Sequence, residues 1–353
     1  MKNGIIWPDN NGIHINAHAG GIIWHVDRYY WYGEHKGAGW DGRLAFDGVH
    51  CYSSKDLKSW RDEGLALKVV DDPQSPIVKG CRIERPKVLF CAKTDKFVMW
   101  WHSTDANHFI AKSGVATSDT ATGPFEMVHA FRPDAGIWPL NVTDEDKDPE
   151  STRLAQKQGE HFNNAENDEV KNSNILGRDF ENGQMARDQG LFLDDDGCAY
   201  HIFASEHNST LHLAKLTDDF LNHNGEYIRL FTNRWHEAPA LFKRDGKYYL
   251  LSSDCTSWDP NPARSAVADD IFGPWQELDN PCKGINLENG HGPETTFNCQ
   301  STFVLKIENE DRYIAMFDDW QTKSFDDSRY VWLPIEFNEK GFTIQWQSHW
   351  ENN

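Results

Sequence analysis

The chain has 353 residues and carries 55 Asp and Glu against 35 Lys and Arg, a formal net charge of −20. A surface of that sign repels phosphate backbones and anionic lipid, so we expect neither nucleic acid nor a membrane as a partner. Aromatic side chains make up 13% of the residues, which suits a neutral ligand that stacks on rings.

Five segments of the chain have the pattern of an apolar strand, a polar turn and an aromatic strand. Each has Asp, Glu or Gly in the turn and β-branched or aromatic residues on either side, which predicts a β-hairpin. In chain order they are GIIWHVDRYYWYGEH from Gly21, VLFCAKTDKFVMWWHS from Val88, GLFLDDDGCAYHIFAS from Gly190, ALFKRDGKYYLLSS from Ala240 and FVLKIENEDRYIAMFDD from Phe303.

A second hairpin follows each of these five segments. In chain order the second hairpins are VHCYSSKDLKSWRDEG, SGVATSDTATGPFEMV, LHLAKLTDDFLNHNGEYIRLF, RSAVADDIFGPWQEL and YVWLPIEFNEKGFTIQW. Two hairpins give the four strands of a propeller blade, and no long 3.6-residue periodicity interrupts the series. We therefore predict an all-β fold, a five-bladed β-propeller with a central active-site pocket, formed by residues 1–353 as one domain.

The series has one interruption, roughly residues 134–182 between the second and third units. This stretch is polar and lacks a strand pattern, so we predict a loop or short helix over one face, where it could wall the pocket. Its Asp and Glu run is more typical of a solvated surface than of a metal loop, because the spacing of an EF-hand is absent.

The cysteine pattern and the start of the chain bear on compartment. Seven cysteines, with no CxxC pair, argue against both a disulfide framework and a zinc site. The opening MKNGIIWPDNNG contains no apolar run of signal-peptide length, and no stretch approaches the roughly 18 residues of a membrane span. We expect a soluble chain, a monomer or weak oligomer, that is cytoplasmic as given or periplasmic or secreted if a signal peptide has been removed.

Polar residues stand just before the first strand of four of the five units. These residues are Glu84, Asp188, Glu237 and Gln300. The innermost strands of a propeller converge on its centre, so we expect these side chains to share one cavity. Groups of this kind are costly to desolvate without a partner or a task. Converging carboxylates are what glycoside hydrolysis needs, because one must hold a proton for the leaving oxygen and crowding raises a pKa.

The motifs at these segments resemble glycoside hydrolase family 43, in the branch that includes exo-β-1,3-galactanases, over essentially the whole chain. They are INAHAGG, YYWYGEHK, CYSSKDLKSW, IERPKV, FRP, LFLDDDG, HEAPALFKRDGKYYLLSSDCTSW, CQSTF and SRYVWLP. The resemblance implies that Glu237 is the general acid, that Asp188 tunes its pKa and orients the sugar, and that Glu84 contacts substrate and supports catalysis. The wider family takes its general base from a first-blade Asp, yet INAHAGG contains no carboxylate. In the galactanase branch a glutamine is proposed to act instead through its imidic acid tautomer, and Gln300 matches it, although an ordinary amide is a poor base.

A further set of residues is predicted to bind substrate because it lies beside the expected cavity or near loops. This set is Asn16, His18, Arg85, Trp138, Trp235, Trp258 and Trp320. For His18 the competing interpretation is a structural hydrogen bond, and for each tryptophan it is core packing. Other tryptophans are expected to fill the spaces between blades, namely Trp24, Trp31, Trp100, Trp101 and Trp332.

The sequence therefore predicts an exo-acting glycosidase that removes terminal galactose from a β-1,3-galactan, with inversion expected from the family. β-Galactofuranosidase, α-L-arabinofuranosidase and β-xylosidase activities remain alternatives on the same scaffold. A sugar-binding propeller without catalysis is a less favoured alternative, motivated by the missing first-blade Asp. No cofactor or catalytic metal is predicted, because no His and carboxylate set shows ligand spacing, while a structural cation in the channel stays open.

Overall fold

The computed structural model describes residues 1–148 and 174–350, in which 21 strands form five sheets. Blade 1 consists of β1 (His18–His25), β2 (Arg28–Glu34), β3 (Gly48–Ser54) and β4 (Arg61–Lys68). Blade 2 consists of β5 (Arg82–Cys91), β6 (Lys96–Thr104), β7 (Lys112–Ser118) and β8 (Glu126–Phe131). Blade 3 consists of β9 (Gln189–Leu193), β10 (Ala199–Ser205), β11 (Thr210–Leu216) and β12 (His223–Leu230).

The last two blades complete the ring. Blade 4 consists of β13 (His236–Arg244), β14 (Lys247–Asp254), β15 (Arg264–Ala268) and β16 (Gln276–Leu278). Blade 5 consists of β18 (Gln300–Lys306), β19 (Tyr313–Asp319), β20 (Arg329–Asn338) and β21 (Gly341–Gln345), with the short β17 (Cys282–Lys283) parallel to β21. Within the described residues, three 3₁₀ segments cover Trp40–Arg43, Pro293–Asn298 and Phe325–Asp327.

The first strand of every blade lies innermost. Each blade is an antiparallel meander in chain order, and β1, β5, β9, β13 and β18 contact one another in sequence until β18 meets β1 again. Closing the ring in this way protects the inner edge of each sheet and leaves the outermost strands as the remaining sheet edges. The predicted five-bladed propeller is confirmed.

Tryptophans close the seam between blade 1 and blade 5. The cluster there contains Trp7, Trp31, Trp60, Trp332 and Trp350, each at most 2% exposed. The Trp31 and Trp332 rings lie 5.2 Å apart. Truncating one such buried ring to alanine typically costs about 3–5 kcal/mol of unfolding free energy, so this seam is a main source of stability.

The described parts of the predicted insertion pack on the outside of blade 3. The short helix α1 (Ile175–Arg178) follows Asn174, whose side-chain oxygen caps it by accepting from Gly177 N. The Tyr227 hydroxyl donates to Ile137 O (2.9 Å), which holds the segment against β12. These parts therefore do not wall the central pocket, and residues 149–173 of the predicted loop lie outside the described residues.

Four of the five inner strands begin with a register shift. The shifts fall between His18 and Gly21, Glu84 and Lys87, Glu237 and Ala240, and Ser301 and Phe303. In three of them a non-glycine residue has positive φ: Ala19 (47°), Arg85 (51°) and Ala238 (52°). Such bulges re-aim side chains and are strained conformations that surrounding contacts must hold. Here they direct the first residues of the inner strands toward the centre of the ring.

All seven cysteines are unpaired thiols, six of them buried. Among the residues with described structure, no helix has the length and apolar character that a bilayer crossing requires.

Candidate active site

A cavity of about 540 Å³ opens where the inner strands begin. Seven residues predicted from sequence line it, namely Glu84, Arg85, Asp188, Glu237, Trp258, Gln300 and Trp320. The four polar residues at the starts of the inner strands, Glu84, Asp188, Glu237 and Gln300, therefore share one cavity, as the sequence predicts.

Two predicted contact residues near the first blade lie behind the cavity wall. His18 is fully buried, and its Nδ1 lies 3.1 Å from Asp318 Oδ1. Asn16 exchanges hydrogen bonds with the backbone of Lys36, donating to its carbonyl and accepting from its amide, both at 2.8 Å. Both residues hold the backbone at the start of blade 1, which is the structural alternative considered for the histidine.

Two of the four candidate stacking tryptophans also lie elsewhere. Trp235 is 0% exposed and has φ of 57°, so its ring lies within the protein rather than on the cavity wall. Trp138 stacks on Phe180 at 4.2 Å in the segment that packs on blade 3. Trp258 does line the cavity, and it is supported edge-on by Trp40 and by Phe325, with ring centroids 5.5 Å and 5.1 Å away.

Glu237 has the protonation state of an acid. Burial and the neighbouring charge of Asp188 raise the pKa of Glu237 to about 8, against the opposing influence of Cys255, Arg85 and Arg187. Asn208 Nδ2 donates to Glu237 Oε1 at 2.8 Å and fixes the carboxyl group. At neutral pH this side chain therefore carries a proton that it can give to a leaving group.

Arg85 joins the side chains of three blades. Its Nε lies 2.6 Å from Asp188 Oδ2, and its Nη2 donates to Gln300 Oε1 at 2.8 Å. Asp188 Oδ2 also accepts from the Ala238 amide at 3.0 Å, one residue past Glu237. One guanidinium thus fixes Asp188 and Gln300 relative to each other, and Asp188 in turn fixes the strand that carries the acid.

Gln300 is oriented at both ends of its amide. Its Oε1 accepts from Arg85 and also from Trp320 Nε1 at 3.1 Å, while its Nε2 donates to Ser253 Oγ at 3.2 Å. Protonating Oε1, as an imidic acid requires, would disrupt at least one of these two accepted bonds. The surroundings therefore favour the amide form, with one Nε2 hydrogen left for another partner.

Glu84 lies among cationic and imidazole groups. Burial alone would favour its neutral form, but His108, His102 and Arg82 outweigh burial and hold the pKa of Glu84 well below its usual range. Its Oε1 lies 3.0 Å from Arg82 Nη1, and its Oε2 lies 2.9 Å from His102 Nδ1. Glu84 is thus an ionised carboxylate, opposite in character to Glu237.

The first blade contributes Ala19, where the resemblance leads one to look for a carboxylate. The amide of Ala19 donates to Asp318 Oδ2 at 2.8 Å, and its carbonyl accepts from Lys87 Nζ, also at 2.8 Å. Two buried groups of opposite charge therefore hold the strained Ala19 peptide from both sides. Burial and neighbouring Arg85 lower the pKa of Lys87 to about 7.

Sequence reasoning missed several side chains that line the cavity. Asn208 comes from the β10–β11 turn, where three consecutive residues have positive φ. That turn is held by Glu206, which accepts from Arg229 at 2.7 and 2.8 Å. Arg229 also binds Asp146 from the insertion at 2.8 Å, so the insertion supports the turn that fixes the acid. No spacing pattern announces this arrangement, because it depends on contacts between loops.

Two further cations belong to the cavity. Lys36 forms an ion pair with Glu34 at the end of β2 and lies 5.6 Å from the centre of the Trp320 ring. Arg187 immediately precedes Asp188 and donates to His108 O at 3.2 Å. The signal for both was available, since each is a charged residue at the cavity end of a strand.

The comparisons with known proteins agree with this geometry. A family model described as "Glycosyl hydrolases family 43" matches residues 165–296. A solved structure of a GH43 β-1,3-galactosidase with galactodeoxynojirimycin is 40% identical, with 99% of each chain covered and a TM-score of 0.87. The chain belongs to glycoside hydrolase family 43. It is an enzyme of the carbohydrate-cleaving class, and its substrate is a carbohydrate.

Other relatives of this family 43 enzyme are more distant. An exo-β-1,3-galactanase from Clostridium thermocellum is 33% identical, with 98% of this chain and 64% of that chain covered, at a TM-score of 0.76. An exo-β-1,3-galactanase from Phanerochaete chrysosporium with β-1,3-galactotriose is 27% identical, at 98% and 66% coverage and a TM-score of 0.76.

A curated relative has a different activity in its name. The β-D-galactofuranosidase from Aspergillus niger is 26% identical over 174 residues, 47% of this chain and 48% of that protein. The chain thus spans about half the length of the curated relative it matches.

Proposed function

We propose that this family 43 enzyme removes terminal galactose from β-1,3-galactan, acting from the chain end, and that residues 1–353 form its catalytic domain. The observation that carries the proposal is the pair of carboxyl groups with opposite protonation states, Glu237 and Glu84, in one cavity. The likeness over the full chain to a protein named as a β-1,3-galactosidase supports galactose as the sugar.

Glu237 is proposed as the general acid. Its proton passes to the glycosidic oxygen as the bond from that oxygen to C1 breaks, and a pKa of about 8 keeps the proton available at neutral pH. Asp188 has two tasks in this proposal, since its charge raises the pKa of the acid and its hydrogen bonds position the strand that carries the acid.

Gln300 is proposed to hold the attacking water. Arg85 and Trp320 donate to its oxygen, so the amide nitrogen is left as the group that can direct a water toward C1. As the oxygen of this water bonds to C1 and the bond from C1 to the leaving oxygen breaks, the proton that the water loses passes to solvent water. Attack on the face opposite the leaving oxygen inverts the anomeric configuration. Glu84, kept ionised, is proposed to accept hydrogen bonds from sugar hydroxyls.

The comparisons support action at chain ends. The chain is similar to proteins named as exo-β-1,3-galactanases, and the one from Clostridium thermocellum is 33% identical over 98% of this chain. The cavity that holds Glu237 and Glu84 has a volume of about 540 Å³, which suits a terminal sugar residue.

The decisive experiment is incubation of the purified chain with β-1,3-galactobiose and β-1,3-galactan, beside aryl galactofuranoside, arabinofuranoside and xyloside. We expect galactose from the first two, and proton NMR of the first product should show the anomer opposite to that of the substrate. The Glu237→Gln variant is the control for contaminating activity. Release from a furanoside or xyloside alone would overturn the substrate while leaving the acid in place.

A further inference from the structure

One group of metal-ligating side chains comes together within residues 1–148 and 174–350. It consists of Glu84, His102 and His108, whose ligand atoms all lie within 4.8 Å of one another. Glu84 and His102 face each other across the β5–β6 pairing, and His108 follows on the loop after β6. The sequence predicted no metal site because these spacings match no ligand motif, whereas strand pairing supplies the proximity.

The two histidines of this cluster have ring nitrogens without hydrogen bonds in buried surroundings. His102 is 1% exposed, and neither Nδ1 nor Nε2 forms a hydrogen bond of acceptable geometry, although Nδ1 is 2.9 Å from Glu84 Oε2. His108 Nδ1 is also buried without a partner. Buried polar atoms in native proteins are satisfied in the great majority of cases, so these nitrogens call for a ligand.

The donor set matches one class of metal. Two imidazoles and one carboxylate suit Zn²⁺, and a three-ligand site leaves a coordination position for water or another oxygen. Glu84 and His108 both line the cavity, so an ion has a route to the site. Arg82 lies 3.0 Å from Glu84 Oε1, which leaves Oε2 as the oxygen for a metal and lowers the affinity.

We propose that Glu84, His102 and His108 form a Zn²⁺ site in the cavity wall, and that the bound ion competes with substrate. Zn²⁺ on Glu84 would occupy the carboxylate that we assign to sugar hydroxyls. The competition rests on the proposed function, whereas the binding of the metal does not.

Calorimetric titration of chelator-treated full chain with zinc chloride tests the site without any substrate. We expect one ion per chain, and weakening of its binding by at least about tenfold in His108→Gln and in His102→Gln. His129→Gln is the matched control, because His129 lies on the outermost strand of blade 2. The zinc affinity of this variant should equal that of the unchanged chain. Thermal melting of each variant identifies any that has lost its fold.

The outcomes separate the two parts of the proposal. Unchanged zinc affinity in folded His108→Gln, or no binding by the unchanged chain, would overturn the site. With binding established, zinc should raise KM for β-1,3-galactobiose without lowering kcat, and less so in His108→Gln. A loss of kcat at constant KM would overturn competition. If β-1,3-galactobiose is not cleaved, the proposed function fails, while the calorimetric result still decides the metal site.

Discussion

The two sides of the cavity use the same backbone device for different chemistry. Blades 2 and 4 begin with bulges that present Glu84 and Glu237, while the bulge of blade 1 presents Ala19 and blade 5 begins with Gln300. At the starts of the inner strands, one wall of the cavity therefore presents carboxylates, and the other wall presents a methyl group and an amide. The fold fixes where a functional group can stand, and the side chain alone decides what it does there.

The difference also appears in what holds each wall. On the carboxylate side, His108, His102 and Arg82 hold the pKa of Glu84 low, whereas burial and the charge of Asp188 raise the pKa of Glu237. On the amide side, Lys87 and Asp318 form hydrogen bonds with the backbone of Ala19 and lie behind the wall of the cavity. The protonation state of Glu237 thus depends on its electrostatic surroundings, whereas the proposed role of Gln300 depends on the hydrogen bonds that orient its amide.

Removing the proposed acid, Glu237, should have the largest effect on activity. Glu237→Gln keeps the acceptor for Asn208 but has no proton to give, so we expect kcat to fall by about 10²- to 10⁴-fold with binding of galactobiose retained. Steady-state kinetics and calorimetry measure the two quantities. Glu226→Gln, on the exposed face of blade 3, is the control. A variant that keeps kcat would show that another group donates the proton.

The amide side is tested by two substitutions of Gln300. Gln300→Ala should lower kcat about 10²-fold, and added azide should restore part of it by taking the place of the water. Gln300→Glu should also lose activity, because a carboxylate has no N–H for the water and would pair with Arg85. Turnover of Gln300→Glu equal to that of the unchanged enzyme would contradict the donor role and favour a base at this position.

Asp188 links the two walls of the cavity through Arg85. Replacing Asp188 should change the pKa of Glu237 on the carboxylate side. Asp188→Asn removes a charge that raises the pKa of Glu237, so the alkaline fall of kcat/KM, expected near pH 8, should move to lower pH. Loss of the charge-assisted bond should also lower kcat about 10- to 100-fold. A pH profile of kcat/KM from 5 to 10 measures the shift, and an unmoved alkaline limb would show that Asp188 does not control the acid.

The smallest expected effect concerns stability rather than turnover. The folded-state pKa of Lys87 is about 7, below the usual value near 10.5, so the unfolded chain binds more protons between these values. Stability should therefore rise through this window, by up to about 1.4 kcal/mol per pH unit from this group. Lys87→Met should lack that rise in urea unfolding at pH 7 and pH 9, whereas exposed Lys323→Met should keep it. Parallel curves for Lys87→Met and the unchanged chain would contradict the assignment.

The fold was largely predictable because hairpin chemistry is local. Each blade contains two turns flanked by aromatic and β-branched residues, and each turn predicts a hairpin. The polar residues before the inner strands predicted the position of the cavity. What failed depends on side-chain direction. Trp235 stands one residue before β13, and a positive φ of 57° accompanies its burial, which sequence does not reveal.

The rest of the site comes from contacts between distant segments. Asn208 reaches Glu237 because a buried Arg229–Glu206 pair holds a strained turn, and the residues concerned are spread over two strands and the β10–β11 turn. His102 and His108 meet Glu84 through strand pairing and loop geometry. No periodicity carries such information, since it arises once the blades have closed into a ring.

The tryptophan seam has a consequence for how the protein is made. Trp7 packs against Trp332, and Trp31 packs against Tyr330, so partners separated by some 300 positions must both be present before this seam is complete. Contacts so distant along the chain are slow to form, because a long loop must close first. During synthesis the apolar rings of the first blade that contact the fifth blade therefore stay exposed until the fifth blade has left the ribosome. In this interval a chaperone or a neighbouring chain can bind the exposed rings.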